Sequence, residues 1–113
     1  MEAIWNDPKK VSHMSSRSLN RKNRSKQRIG WLKFEEDFVL HHPDFLKNLL
    51  MEYPFLSTTE MYVCAMIRSG LPSREIANIL GISERTVENH RTNIRRKISL
   101  NHNEKILSFF YKI

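Results

Sequence analysis

Between Ser83 and Lys97 the chain sets out hydrogen-bonding and cationic side chains on what reads as a single helix. Arg85, Glu88, Asn89 and Thr92 stand three and four residues apart, so they share one outward face. An asparagine amide can pair bidentately with adenine, an arginine with guanine, and a glutamate can accept from a cytosine amino group. Arg91, Arg95, Arg96 and Lys97 follow toward the C-terminal half, and with His90 they suit phosphate oxygens. Ser83, Thr86 and the free N–H groups where the helix starts can hold phosphate in the same way. This is chemistry for reading the edges of a duplex, not for transforming a substrate.

Such a face works only if the helix is braced from behind. Val87, Ile94 and Ile98 supply the apolar stripe on its back, and Ser83 is a natural cap for its start. Before it, Ser73 to Leu80 reads as a short helix with Ile76, Ala77 and Leu80 inward and Pro72 at its beginning. Gly81 permits the positive φ of a tight turn between the two, and Ile82 plugs the core beneath it. Two helices joined in this way form a helix-turn-helix, whose second helix enters the major groove. Upstream, Ser57 with Glu60 makes a capping box, Met61, Val63, Cys64, Met66 and Ile67 form a buried face, and Gly70 stops the helix. A final apolar helix is expected over about Asn103 to Tyr111.

The charge is unevenly placed. Residues 1–30 hold eight Lys or Arg (Lys9, Lys10, Arg17, Arg21, Lys22, Arg24, Lys26 and Arg28) against two acids. They carry most of the net charge of +7. Few large apolar groups interrupt them, so residues 1–30 are expected to be a disordered basic arm that adds phosphate contacts without sequence preference. From Trp31 an amphipathic pattern begins: Trp31, Phe34 and Phe38, then Pro43, then Phe45, Leu46, Leu49 and Leu50 up to Pro54. These two short helices either cover the core of the next unit or hold two copies together.

Composition excludes several classes. No apolar run approaches the roughly 20 residues that span a bilayer, and the first residues show no signal-peptide core. The one cysteine, Cys64, cannot form an internal disulfide and reads as a core thiol in a reducing, cytoplasmic setting. No phosphate loop, metal-spaced Cys/His set or nucleophile elbow is present, so no enzyme, cofactor or metal is expected. His41, His42 and Asp44 read as surface groups beside Pro43.

Residues 56–113 resemble the LuxR-type (GerE-type) DNA-binding domain of bacterial transcription regulators. The matching residues are Leu56-Ser57 with Glu60, Gly70-Leu71, Glu75-Ile76-Ala77, Leu80-Gly81-Ile82-Ser83, Thr86-Val87, His90, Asn93-Ile94 and Lys97-Ile98. The resemblance implies four helices, the third in the major groove of double-stranded DNA and the fourth able to mediate dimerisation. It implies a bacterial, nucleoid-associated regulator. Ser99 stands where the family commonly has glycine, and Asn103 where it commonly has arginine. The full expectation is an all-α chain: a disordered basic arm (1–30), two short amphipathic helices (31–54) and a four-helix helix-turn-helix domain (55–113).

One small recognition helix reads few bases, so a homodimer on two half-sites is expected, at least on DNA. RNA polymerase or a sensor protein is a further possible partner; a membrane is not. Two rivals remain open. Region 4 of a sigma factor shares the Glu-Ile-Ala helix and the glycine turn. An adaptor would keep the motif as a scaffold and bind a protein through the aromatic helices at 31–50.

Overall fold

The computed structural model describes residues 17–101 and 103–113, with the backbone alone described for 17–24. Its elements are α1 (Arg17–His41), α2 (Phe45–Glu52), α3 (Thr58–Arg68), α4 (Ser73–Leu80), α5 (Glu84–Lys97) and α6 (Ile106–Phe110). The chain is all-α, as its pattern predicts.

Helix α3 is the central post. The Ser57 hydroxyl accepts from the Glu60 N–H at 3.1 Å, and the Glu60 carboxylate accepts from the Ser57 N–H at 2.8 Å, closing the capping box. Every residue from Glu60 to Ile67 is buried. The sequence shows only one apolar face here. Burial is all round because α1, α2, α5 and α6 each pack against α3. Trp31 of α1 stacks on Tyr62, their ring centroids 4.5 Å apart. Phe38, Phe45 and Phe110 continue an aromatic column joining α1, α2 and α6 through edge-on contacts. The aromatics of 31–50 that an adaptor would use are therefore mostly core: Trp31, Phe38 and Phe45 are buried and Phe34 packs against them.

The expectation of disorder is corrected for residues 17–30; residues 1–16 of the expected arm lie outside the described residues. Helix α1 begins at Arg17 and runs 25 residues without a break, so the first amphipathic helix is long, not short. Arg, Lys and Gln are good helix formers. The helix is anchored by groups that a count of large apolar residues overlooks. Gly30 lies so close to α4 that a Cβ there would sit 1.9 Å from the Ile79 carbonyl oxygen. The aliphatic stem of Lys26 covers Gly81, and Gln27 accepts from the Thr59 hydroxyl at 3.1 Å. Lys9 and Lys10 of the expected arm lie outside the described residues.

Three helix ends share one device. Leu71 N–H returns to the Met66 carbonyl and Gly70 N–H to Ile67, with Gly70 at φ 84°. Ile82 N–H returns to Ala77 around Gly81 at φ 66°. Leu100 N–H returns to Arg95 and Ser99 N–H to Arg96. This is the Schellman pattern, which needs a left-handed residue. At the third end that residue is Ser99, at φ 55°. The serine thus takes the conformation a glycine would take more cheaply, and the turn keeps its geometry. The last helix is shorter than expected, spanning Ile106–Phe110 with no side-chain cap at Lys105; Ile106 and Phe110 are its buried residues.

Candidate nucleic-acid interface

Helices α4 and α5 pack against each other across the Gly81 turn. Helix α5 starts at a cap: the Ser83 hydroxyl accepts from the Thr86 N–H at 3.0 Å and lies 2.8 Å from the Thr86 hydroxyl. Val87 and Ile94 are fully buried on its back and Ile98 closes that stripe. On its front, Arg85, Asn89, Thr92 and Arg96 are all exposed. They stand four, three and four residues apart, so they form one stripe roughly 16 Å long. Three of the four residues expected to read bases therefore lie on one unobstructed line, with a cation at each end.

The fourth, Glu88, is exposed but engaged. Its carboxylate accepts from the Ser73 hydroxyl at the start of α4, and Arg91 Nε lies 4.0 Å away. In this arrangement Glu88 links the start of α4 to α5. Arg96 donates to the Asn93 side chain at 3.1 Å while remaining exposed. Arg95 donates to the Asn101 carbonyl at 2.7 Å, pinning the turn after α5. Arg91, Arg95 and Lys105 also line a groove between α5 and the segment leading into α6, with Glu104 at its side. The groove presents an excess of positive charge beside the stripe, as phosphate contact requires.

Lys97 is placed differently from its expected phosphate role. Its ammonium is 2.8 Å from the Glu60 carboxylate and 3.3 Å from the Phe55 carbonyl, behind α5. Burial alone would raise the Glu60 pKa. The hydrogen bond from Lys97, the Ser57 N–H and the charges of Lys97 and His90 together hold it below the usual carboxylate value. His90 is half-buried nearby. Burial is the main cause that lowers its pKa; Glu60 pulls it up and Lys97 pushes it down. The lowering disfavours the imidazolium that would pair with a phosphate. The pairing of Glu60 with Lys97, 37 residues apart, carries no local sequence signal. The engagement of Ser73 with Glu88 carries none either.

Of the expected basic arm, Arg17, Arg21, Lys22 and Arg24 fall on the stretch of α1 whose backbone alone is described. Lys26 is exposed, and Arg28 is half-buried and engaged within the protein. Burial pushes the Cys64 thiol well up, which makes it a poor nucleophile. Among the described residues no cluster of three or more His, Cys, Asp or Glu could hold a metal, and no helix is long and apolar enough to cross a membrane.

A capped, polar-faced helix braced behind a glycine turn is a helix-turn-helix of the DNA-binding type. The family described as bacterial regulatory proteins, luxR family, matches residues 54–110. The chain belongs to this family. A "Probable transcriptional regulator ycf29" of Guillardia theta is 36% identical over 58 residues, which is 51% of this chain and 28% of that protein. The chain thus aligns with under a third of that relative's length. No solved structure gives a significant match.

Proposed function

We propose that the protein is a sequence-specific regulator of transcription that lays α5 in the major groove of double-stranded DNA. The observation carrying this reading is the exposed stripe of Arg85, Asn89, Thr92 and Arg96 on a helix whose opposite face is fully packed. Asn89 would pair with an adenine and Arg85 with a guanine near the start of α5. Thr92 would contact the next base along. Arg96, Arg91 and Arg95 would hold phosphates, and Ser83 and Thr86 with the N–H groups of the helix start would hold the phosphate on the other wall. Glu88 would hold α4 against α5 instead of reading a base. Two copies on neighbouring half-sites would supply enough read positions for a unique operator. Selection from a random duplex pool at about 0.15 M salt tests the reading. An enriched motif with two related half-sites supports it. Binding without enrichment would mean that the phosphate contacts alone hold DNA.

A further inference from the structure

Helix α1 has two apolar faces. Trp31, Phe34 and Phe38 turn into the core. On the opposite side Ile29, Leu32, Val39 and Leu40 stand between 40% and 78% exposed. At 100° per residue, these four and Lys33 and Glu36 fall within one third of the helix circumference. Lys33 and Glu36 are also exposed, and no ion pair engages either among the described residues. A surface helix that is apolar on both sides has a face still to cover.

The sequence of that face says what covers it. Ile29, Lys33, Glu36 and Leu40 are spaced four, three and four, the seam of a two-helix pairing. Run a second α1 antiparallel to the first, with residue numbers across the seam summing to 69. Ile29 then meets Leu40 of the partner copy, and Lys33 meets Glu36 of the partner copy. On one flank Leu32 comes within about 3 Å, along the axis, of Val39 of the partner copy. Symmetry repeats each pair, so the exposed apolar residues of α1 and both charges at the centre find complements at once. A parallel, in-register pairing would oppose Lys33 to Lys33 and Glu36 to Glu36, and would run alongside each other two copies of residues 17–28, whose sequence holds six Lys or Arg and no acid.

We propose that α1 is a self-pairing surface: two copies of the chain associate through an antiparallel α1–α1 contact centred on reciprocal Lys33–Glu36 ion pairs and closed at each end by Ile29 against Leu40. The contact is short, at the low end of specific interfaces, so pairing is weak in solution and strengthens when both copies sit on one duplex. It rests on the two-copy part of the proposed function only for its use on DNA; the pairing itself needs none.

Sedimentation equilibrium of the full chain without DNA, from roughly 1 to 500 µM, tests it. The wild type should pair reversibly in this range. Lys33→Glu should weaken pairing at least ten-fold, Glu36→Lys likewise, and the double exchange should restore it to within about three-fold. All three variants should melt as the wild type does, because both side chains are exposed. A monomer across the whole range would overturn the proposal, as would single exchanges without effect or a double exchange that fails to rescue. As an independent check of register, Ile29→Cys/Leu40→Cys should cross-link between copies under mild oxidation. Leu40→Cys alone should not, because antiparallel Leu40 residues lie about 16 Å apart along the axis. The reverse pattern would overturn the register. Pairing that obeys the charge exchange in a protein with no preferred duplex sequence would uphold this contact and overturn the proposed function alone.

Discussion

Replacing Lys97 with methionine keeps the aliphatic stem and removes only the ammonium. The Glu60 side chain is 6% exposed and the Lys97 side chain 31%. Breaking a buried pair by removing one partner costs about 3–5 kcal/mol, because the other charge is left without compensation. Here water can reach the lysine end, and the Ser57 N–H still serves the carboxylate at 2.8 Å, so the loss should be about 2–3 kcal/mol. For a domain of this size that lowers Tm by roughly 10–20 °C. The penalty should depend on pH. Without Lys97, burial dominates and Glu60 protonates at higher pH, so Lys97→Met and the wild type should converge as pH falls toward 4. Glu60→Gln should cost less, since an amide oxygen can still accept from Ser57 and Lys97, and it should shrink the effect of Lys97→Met in a double-mutant cycle. Urea melts at pH 7 and pH 4 measure all of this. In DNA titrations well below Tm, the salt slope of log affinity should not change. A slope lower by about 0.9 with stability untouched would instead make Lys97 a phosphate contact and not the partner that holds Glu60.

Three further outcomes are expected. Ser99→Gly should stabilise the protein by about 0.5–1 kcal/mol, read in urea melts, by relieving a left-handed serine at the end of α5. Gly30→Ala should destabilise by about 1–3 kcal/mol although alanine is the better helix former, because its Cβ would meet the Ile79 carbonyl; faster trypsin cleavage within residues 17–28 should report α1 lifting from α4. Stability should fall with acid in two stages. His90 and His42 have folded pKa values below their unfolded value near 6.5, so the unfolded chain takes up protons first as pH drops below about 6.5; Glu60, also lowered, loses its contribution as pH falls from its unfolded value near 4.3 through its folded one. His90→Gln should flatten part of the upper stage and Glu60→Gln the lower, measured by thermal melts across pH 3–8.

The parts of the fold set by local chemistry were readable in advance. The Ser57–Glu60 box, the Ser73–Leu80 helix, the Ser83 cap and both glycine turns depend on neighbours three to six residues away, and all stand where the pattern puts them. What escaped depends on distant partners. The middle of α1 is held by a glycine, a lysine stem and a glutamine against α4, the Gly81 turn and the start of α3, none of which registers as hydrophobic periodicity. The candidate site divides the same way. Spacing alone identifies the outward stripe of α5. That Glu88 serves Ser73 and Lys97 serves Glu60 follows only from the helix crossing, because equally spaced polar residues look alike until the packing chooses among them.

Duplex selection repeated with Asn89→Ala asks whether the exposed stripe of α5 reads base sequence. The expected result is the wild-type motif with preference for adenine lost at one position in each half-site, at a cost of about 1–3 kcal/mol, and every other position intact. An unchanged motif, or an affinity loss uniform over all sequences, would contradict it.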